Sequence, residues 1–239
     1  MTLLNQKRIV IIGGTSGIGL ATAKMAAEQG ASLVITGFKA DGLEKAKSKI
    51  NGQVEIFQLD IADEAAVKSF FAKVGEFDYL TTPGSVIPKG PFLTMDTVIA
   101  REGFDSKFWG QYNAAKYAAP LIRKNGAIIL FSGIISQKPQ KNLVVMSSVN
   151  NAVEGLGRAL TVELAPIRVN VVAPGIIDTP RYAGMSAADR QTMFDQLANK
   201  LPVGHVGQPE ELAEAVLFLM TNTFMTGQTV FVDSGHLLS

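Results

Sequence analysis

Three glycines, Gly13, Gly17 and Gly19, sit between an apolar run, Ile9–Ile12, and a run in which Leu20, Met25 and several alanines recur at helical spacing. Strand pattern, glycine turn and helix pattern in that order suit the binding of a phosphate. Glycine lets the backbone turn sharply and lets an anion approach where a Cβ would stand, and the helix behind it offers unpaired N–H groups at its positive end. The chemistry read here is a pyrophosphate cradle, against the plainer alternative of an ordinary strand-to-helix turn. Its spacing is GxxxGxG, not the GxGxxG of the commonest dinucleotide folds. No cysteine occurs in the chain, so thiol nucleophiles and disulfides are both absent, and no metal site is expected.

The elements that must position this turn alternate along the chain. Ser32–Thr36, Val54–Leu59, Tyr79–Thr82, Ala127–Phe131, Arg168–Ala173 and Gln228–Asp233 read as further strands. Between them fall helical patterns, with Asp41 placed to cap the second and Asp60 or Asp63 preceding the third. Later helices are read over Phe104–Lys124, Leu143–Leu164 and Glu210–Met220. Such alternation argues an α/β fold, a parallel sheet covered on both faces. Periodicity weakens between Pro174 and Pro202, which is read as a substrate loop or lid. No linker or repeat interrupts the chain, so residues 1–239 are read as one domain.

The 239 residues are 47% apolar, enough for a sizeable core, and the net charge of +1 gives no electrostatic case for nucleic acid or an anionic membrane. No apolar run reaches membrane-spanning length, and MTLLNQKR lacks a signal-peptide core. A cytoplasmic protein is expected.

With GGTSGIG, LDIADEAAV, VNVVAPGIIDTP and TGQTVFVDSG at these separations, the chain resembles the short-chain dehydrogenase/reductase family over nearly its whole length. The resemblance implies a single-domain, Rossmann-type doubly wound parallel sheet of about seven strands, in the order 3-2-1-4-5-6-7. It also implies a nicotinamide dinucleotide at the strands' carboxyl ends and commonly a homotetramer. Carried over position by position, Gly13, Thr15, Ser16, Gly17, Ile18 and Gly19 hold the pyrophosphate. Asp60 and Ile61 meet the adenine, a helix cap being the other reading of Asp60. Pro174, Gly175, Ile177 and Thr179 lie at the nicotinamide end. The family's NNAG turn is degenerate here, as Thr81-Thr82-Pro83-Gly84-Ser85, with Pro83, Gly84 and Ser85 taken as cofactor contacts.

The same resemblance implies that the catalytic tetrad is replaced. Where usual members carry Asn, Ser, Tyr and Lys, this chain has Lys107, Gly133, Met146 and Asn150. Methionine has no exchangeable proton, glycine has no side chain and asparagine is neutral, so the ordinary route of proton transfer is missing. Asn150 can still bond ribose hydroxyls. Lys107 is read either as a stabiliser of an oxyanion or bound anion, or as a space-filling lysine that snorkels to water. Ser132, Ser136 and Tyr182 complete the catalytic candidates, and His205 is read as structural. Tyr112 and Lys116 spell YxxxK, but they precede the fifth strand where the family's pair follows it, so core and solvated roles are assigned to them.

NADP(H) is the cofactor expected. An NAD site usually ends the second strand with a carboxylate for the ribose 2′-hydroxyl, which would repel a 2′-phosphate. Here Thr36, Gly37, Phe38 and Lys39 fill that window, offering a hydroxyl, a ring for the adenine face and a cation. The function expected is an NADP(H)-binding oxidoreductase acting on an activated carbonyl or quinone. The alternatives are an inactive NADPH-sensing regulator and a structural subunit.

Overall fold

A computed structural model describes residues 3–239. Seven strands form one sheet: β1 (Arg8–Ile12), β2 (Ser32–Gly37), β3 (Val54–Gln58), β4 (Phe77–Thr81), β5 (Ile122–Phe131), β6 (Arg168–Pro174) and β7 (Thr229–Val232). Their order across the sheet is 3-2-1-4-5-6-7 and every pairing is parallel. The fold is therefore the single-domain Rossmann-type sheet that the alternation and the resemblance imply.

Strand alternation divides the core in two. Ile9, Ile11, Leu33, Ile35 and Ile129 point to one face, where α1 (Gly17–Glu28), α2 (Ala40–Lys47) and α8 (Pro209–Thr221) cover them. Val10, Ile12, Val34, Leu80, Ile128 and Leu130 point to the other, beneath α3 (Glu64–Val74), α5 (Gly110–Ala118) and α6 (Val144–Glu163). A strand buried on both faces has no polar alternation, which is why these segments read as continuous apolar runs.

The helix expected over Phe104–Lys124 is not one helix. α4 (Thr97–Phe104) passes into a single wide π turn, Asp105–Trp109, before α5 begins. At its other end Pro120, which has no N–H to donate, closes α5 with a 3-10 turn, and β5 starts at Ile122. Asn125 adopts a φ of +70° within that strand's early irregular part. The weakly patterned 174–202 segment contains α7 (Ala187–Ala198), whose one buried residue is Phe194. One buried residue in twelve leaves little periodicity to read.

Two caps also differ. Lys39, not Asp41, is the N-cap of α2, and Asp41 lies in its first turn, where a carboxylate favours the helix dipole. Asp63 caps α3 by accepting from the Ala66 N–H at 3.0 Å. Asp60 instead accepts from the Ala62 N–H at 2.9 Å and keeps its place at the cleft.

At the amino end of the sheet, Arg168 is buried and donates to the carbonyls of Leu219 (2.7 Å), Met220 (2.6 Å) and Met225 (3.3 Å). It closes the last turn of α8, whose carbonyls lack partners within the helix. Among the described residues, no helix is long and apolar enough to cross a membrane, and no cluster of side chains could hold a metal ion.

Candidate active site

The glycine turn lies where β1 and β4 diverge at the carboxyl edge of the sheet. Gly13 has a φ of +93°, and a Cβ on it would stand 2.5 Å from the Gly84 Cα. A Cβ on Gly19 would stand 2.1 Å from the Gly13 carbonyl oxygen and 3.1 Å from Pro83, and one on Gly17 would stand 3.2 Å from the Thr179 methyl. Thus residues 83–84, Thr179 and the glycine turn converge on one cleft, as open α/β sheets require at their switch point. Ser16 is the exposed N-cap of α1 and makes no side-chain capping bond, so its hydroxyl is not taken up by the helix. Ile18 turns its side chain into the core, so any part it plays at the turn is through its backbone.

Beside the turn opens a cavity of about 480 Å³, lined among others by Gly13, Thr36, Phe38, Asp60, Ile61 and Ser85. Its size is that of a small-molecule site. Lys39 is exposed at the rim and does not line it; Phe38, 65% exposed, does. Gln58 holds this corner by donating to the Phe38 carbonyl at 3.0 Å. Gly37 is glycine because Thr15 packs there: a Cβ would stand 2.4 Å from the Thr15 methyl. Val86, Pro88, Glu102 and Ser106 also line the cavity, and sequence reasoning missed all four. Ser106 fixes the segment by accepting from the Val86 N–H at 3.0 Å.

At the other end of the cleft, Gly175 lies against Asp233, whose Cα would stand 2.7 Å from an added Cβ, while Ile177 is buried in the core. Three of the positions that the resemblance matches to the tetrad, Lys107, Gly133 and Asn150, come together there at the turn 132–136, and Met146 lies one turn before Asn150 on α6. Asn150 is buried and donates to the Gly133 carbonyl at 3.3 Å. Its Oδ1 and the Ser136 hydroxyl have no hydrogen-bond partner among the described residues. Met146 is buried, with the Arg181 Nη2 3.7 Å from its sulfur.

Lys107 does not snorkel. It is 7% exposed, and its Nζ donates to the Ser132 carbonyl at 2.8 Å. The π turn brings it inward, while Gln111, one turn later, is fully bonded to Thr82, Phe131 and the Lys107 carbonyl. Burial, and secondarily the nearby Arg181 charge, push the Lys107 pKa down to about 7 against the opposing pull of Glu154. Glu154, also missed, is a buried carboxylate that accepts from the Ser132 hydroxyl at 2.7 Å. Nothing in the sequence separates it from a surface glutamate of a long helix.

Other candidates fall elsewhere. Tyr182 packs edge-on against Phe194, centroids 5.4 Å apart, in a small core belonging to the lid, and burial raises its pKa. Tyr112 packs edge-on against Trp109, and Lys116 pairs with Glu64 on the surface, so the YxxxK pair lies outside the site. His205 bonds its neighbour's carbonyl and faces Glu211.

The profile described as enoyl-(acyl carrier protein) reductase matches residues 13–236. A solved structure described as a short chain dehydrogenase/reductase family protein is 31% identical, superimposes with a TM-score of 0.89 and is covered completely, as is this chain. The chain belongs to the short-chain dehydrogenase/reductase family. Within that family it is similar to a small-chain dehydrogenase solved in complex with NADPH, at 36% identity and a TM-score of 0.85, over 98% of this chain and 100% of the other. It is also similar to cis-4-hydroxycyclohexanecarboxylate dehydrogenase of Sinomonas cyclohexanicum, at 33% identity over 95% of each chain.

Proposed function

We propose that this protein is an NADPH-dependent oxidoreductase with a non-standard active site, reducing an activated acceptor such as a quinone or a conjugated carbonyl. One observation carries the reading: beside the cleft on which the glycine turn, residues 83–84 and Thr179 converge, the position that the resemblance aligns with the family's tyrosine is Met146, which is buried and has no exchangeable proton. Hydride addition to such an acceptor gives a delocalised anion, which asks less of a proton donor than a simple ketone does. The residues present fit the cofactor. The glycine turn closes this tightly on Gly84 and Thr179 only because no Cβ intervenes, which supports a backbone cradle for a pyrophosphate, and the unpartnered Asn150 Oδ1 supports ribose bonding.

When bound, the reduced nicotinamide supplies the hydride. The chain's own residues do the rest. Ser16 and the first turn of α1 hold the pyrophosphate, Asp60 and Ile61 border the adenine end, and Thr179 meets the nicotinamide end. Thr36, Phe38 and Lys39 favour a 2′-phosphate, since no carboxylate occupies that window. NADPH is therefore expected to bind more tightly than NADH, with the advantage shrinking as salt screens the phosphate and falling again in Lys39→Ala. Titration of both cofactors by calorimetry at two ionic strengths checks this, and equal affinities in the unaltered protein would refute it.

Met146 also supports a second reading, a regulator that senses NADPH and performs no chemistry. Multiple-turnover NADPH oxidation with a panel of quinones and enones separates the two. A homotetramer belongs to the first reading: the α6 face carrying Ala152, Gly155, Leu156 and Ala159 is only partly covered by its own sheet. A monomer mass at micromolar concentration by sedimentation would count against it.

A further inference from the structure

Lys107, Ser132 and Glu154 form a buried chain that the family's ordinary chemistry does not require. The Lys107 Nζ donates to the Ser132 carbonyl at 2.8 Å, and the Ser132 hydroxyl donates to a Glu154 carboxylate oxygen at 2.7 Å and lies 3.2 Å from the Asn150 carbonyl. Gln137 reaches the second Glu154 oxygen at 3.4 Å. All attach to the turn 132–136, where Gly133 contributes no side chain and where the Asn150 Oδ1 and Ser136 hydroxyl lack partners. Buried polar groups are almost always satisfied, so the Ser136 hydroxyl, which can donate, and the Lys107 protons not given to Ser132 offer an oxygen-bearing ligand its hydrogen bonds at this turn, while the Asn150 Oδ1 is left to the ribose.

Resting on the oxidoreductase reading, we propose that Lys107 is the catalytic acid of this site, and that Glu154 acts through Ser132 as its positioning residue. The lysine supplies from the π turn the acid that α6 has lost. The acceptor's electrophilic carbon receives a hydride from the reduced nicotinamide dinucleotide, which is oxidised by two electrons. The carbonyl π pair moves to oxygen, an N–H bond of the Lys107 ammonium breaks, and its proton goes to that oxygen. Water then reprotonates the amine. Two charged groups act on Lys107: Glu154 from α6, favouring the ammonium, and Arg181 from the lid, opposing it. α4 and α5, packed on the same turn, add no charge that acts on it.

The test joins a titration to a rate profile. Lysine labelled with ¹³C at Cε, with the Lys107 resonance assigned by its loss in Lys107→Arg, is followed from pH 5.5 to 10 in the full chain. Lys107 is expected to titrate near neutrality, and its midpoint to fall further in Glu154→Gln, since the carboxylate favouring the charge is gone. Steady-state NADPH oxidation with 9,10-phenanthrenequinone is read over the same range. The kcat is expected to fall as pH rises through the Lys107 midpoint, and that fall to move down with the midpoint in Glu154→Gln; Lys107→Arg, which keeps the charge but releases no proton in this range, is expected to lose turnover. Lys107→Met is expected to lose on the order of a hundredfold in kcat with little change in NADPH affinity. An ordinary lysine midpoint, or turnover whose pH profile ignores that midpoint, overturns the proposal alone. Failure of the unaltered protein to oxidise NADPH with any quinone or enone overturns the oxidoreductase reading and this proposal with it.

Discussion

Gly19→Ala is expected to weaken NADPH binding on the order of a hundredfold. Its Cβ would stand 2.1 Å from the Gly13 carbonyl oxygen, which is backbone and has no rotamer to escape into. Relief requires the start of α1 to move off the turn, and Pro83, 3.1 Å from the same point, blocks one direction. Overpacking of this kind costs roughly 1–3 kcal/mol, and each 1.4 kcal/mol lost at the pyrophosphate is a factor of about ten in affinity. Calorimetric titration with NADPH, beside circular dichroism to confirm that the sheet persists, checks the prediction. Gly42→Ala is the control, because its Cβ would meet only Thr15 atoms at 3.8 and 3.9 Å. Affinity unchanged in Gly19→Ala would remove the turn from the cofactor site.

The second large effect is on stability. Arg168→Leu is expected to destabilise the protein by roughly 2–5 kcal/mol, because it leaves the carbonyls of Leu219 and Met220 buried without a donor at the end of α8. At a few degrees per kcal/mol for a chain of this size, the melting temperature should drop by about 5–15 °C. Arg168→Lys should recover only part of the loss, since one ammonium cannot reproduce the planar fork that meets both carbonyls. A melting temperature within about 2 °C of the unaltered protein in Arg168→Leu would show that water satisfies those carbonyls equally well.

Much of this fold was legible because burial on both faces of a parallel sheet writes itself as apolar runs, and because glycine turns and Pro174-Gly175 have few other uses. The convergence of Pro83-Gly84 and Thr179 on the glycine turn followed from strand order. What stayed hidden had no sequence signal. A π turn adds a residue to a helix without changing its composition, so Phe104–Lys124 read as uninterrupted. Charge does not reveal burial: Glu154 looks like a surface residue in any linear pattern, and for Lys107, which the resemblance had already marked, only three-dimensional packing decides between enclosure and a reach to water. Val86, Pro88, Glu102 and Ser106 come from a segment held by its neighbours rather than by its own periodicity.

The strand order also says something about time. β2 pairs with β1 on one side and with β3 on the other, so this half of the sheet needs nothing beyond Gln58 and can be complete while later residues are still being synthesised. β4 must then return to the far side of β1, closing a loop of some seventy residues between Ile9 and Tyr79, and β5 to β7 add outward from it. The contact of Gly13 with Gly84 is thus the seam between a half made early and a half made late. A dinucleotide held across that seam binds only the joined chain, and so acts on the joining of the two halves as much as on the finished fold.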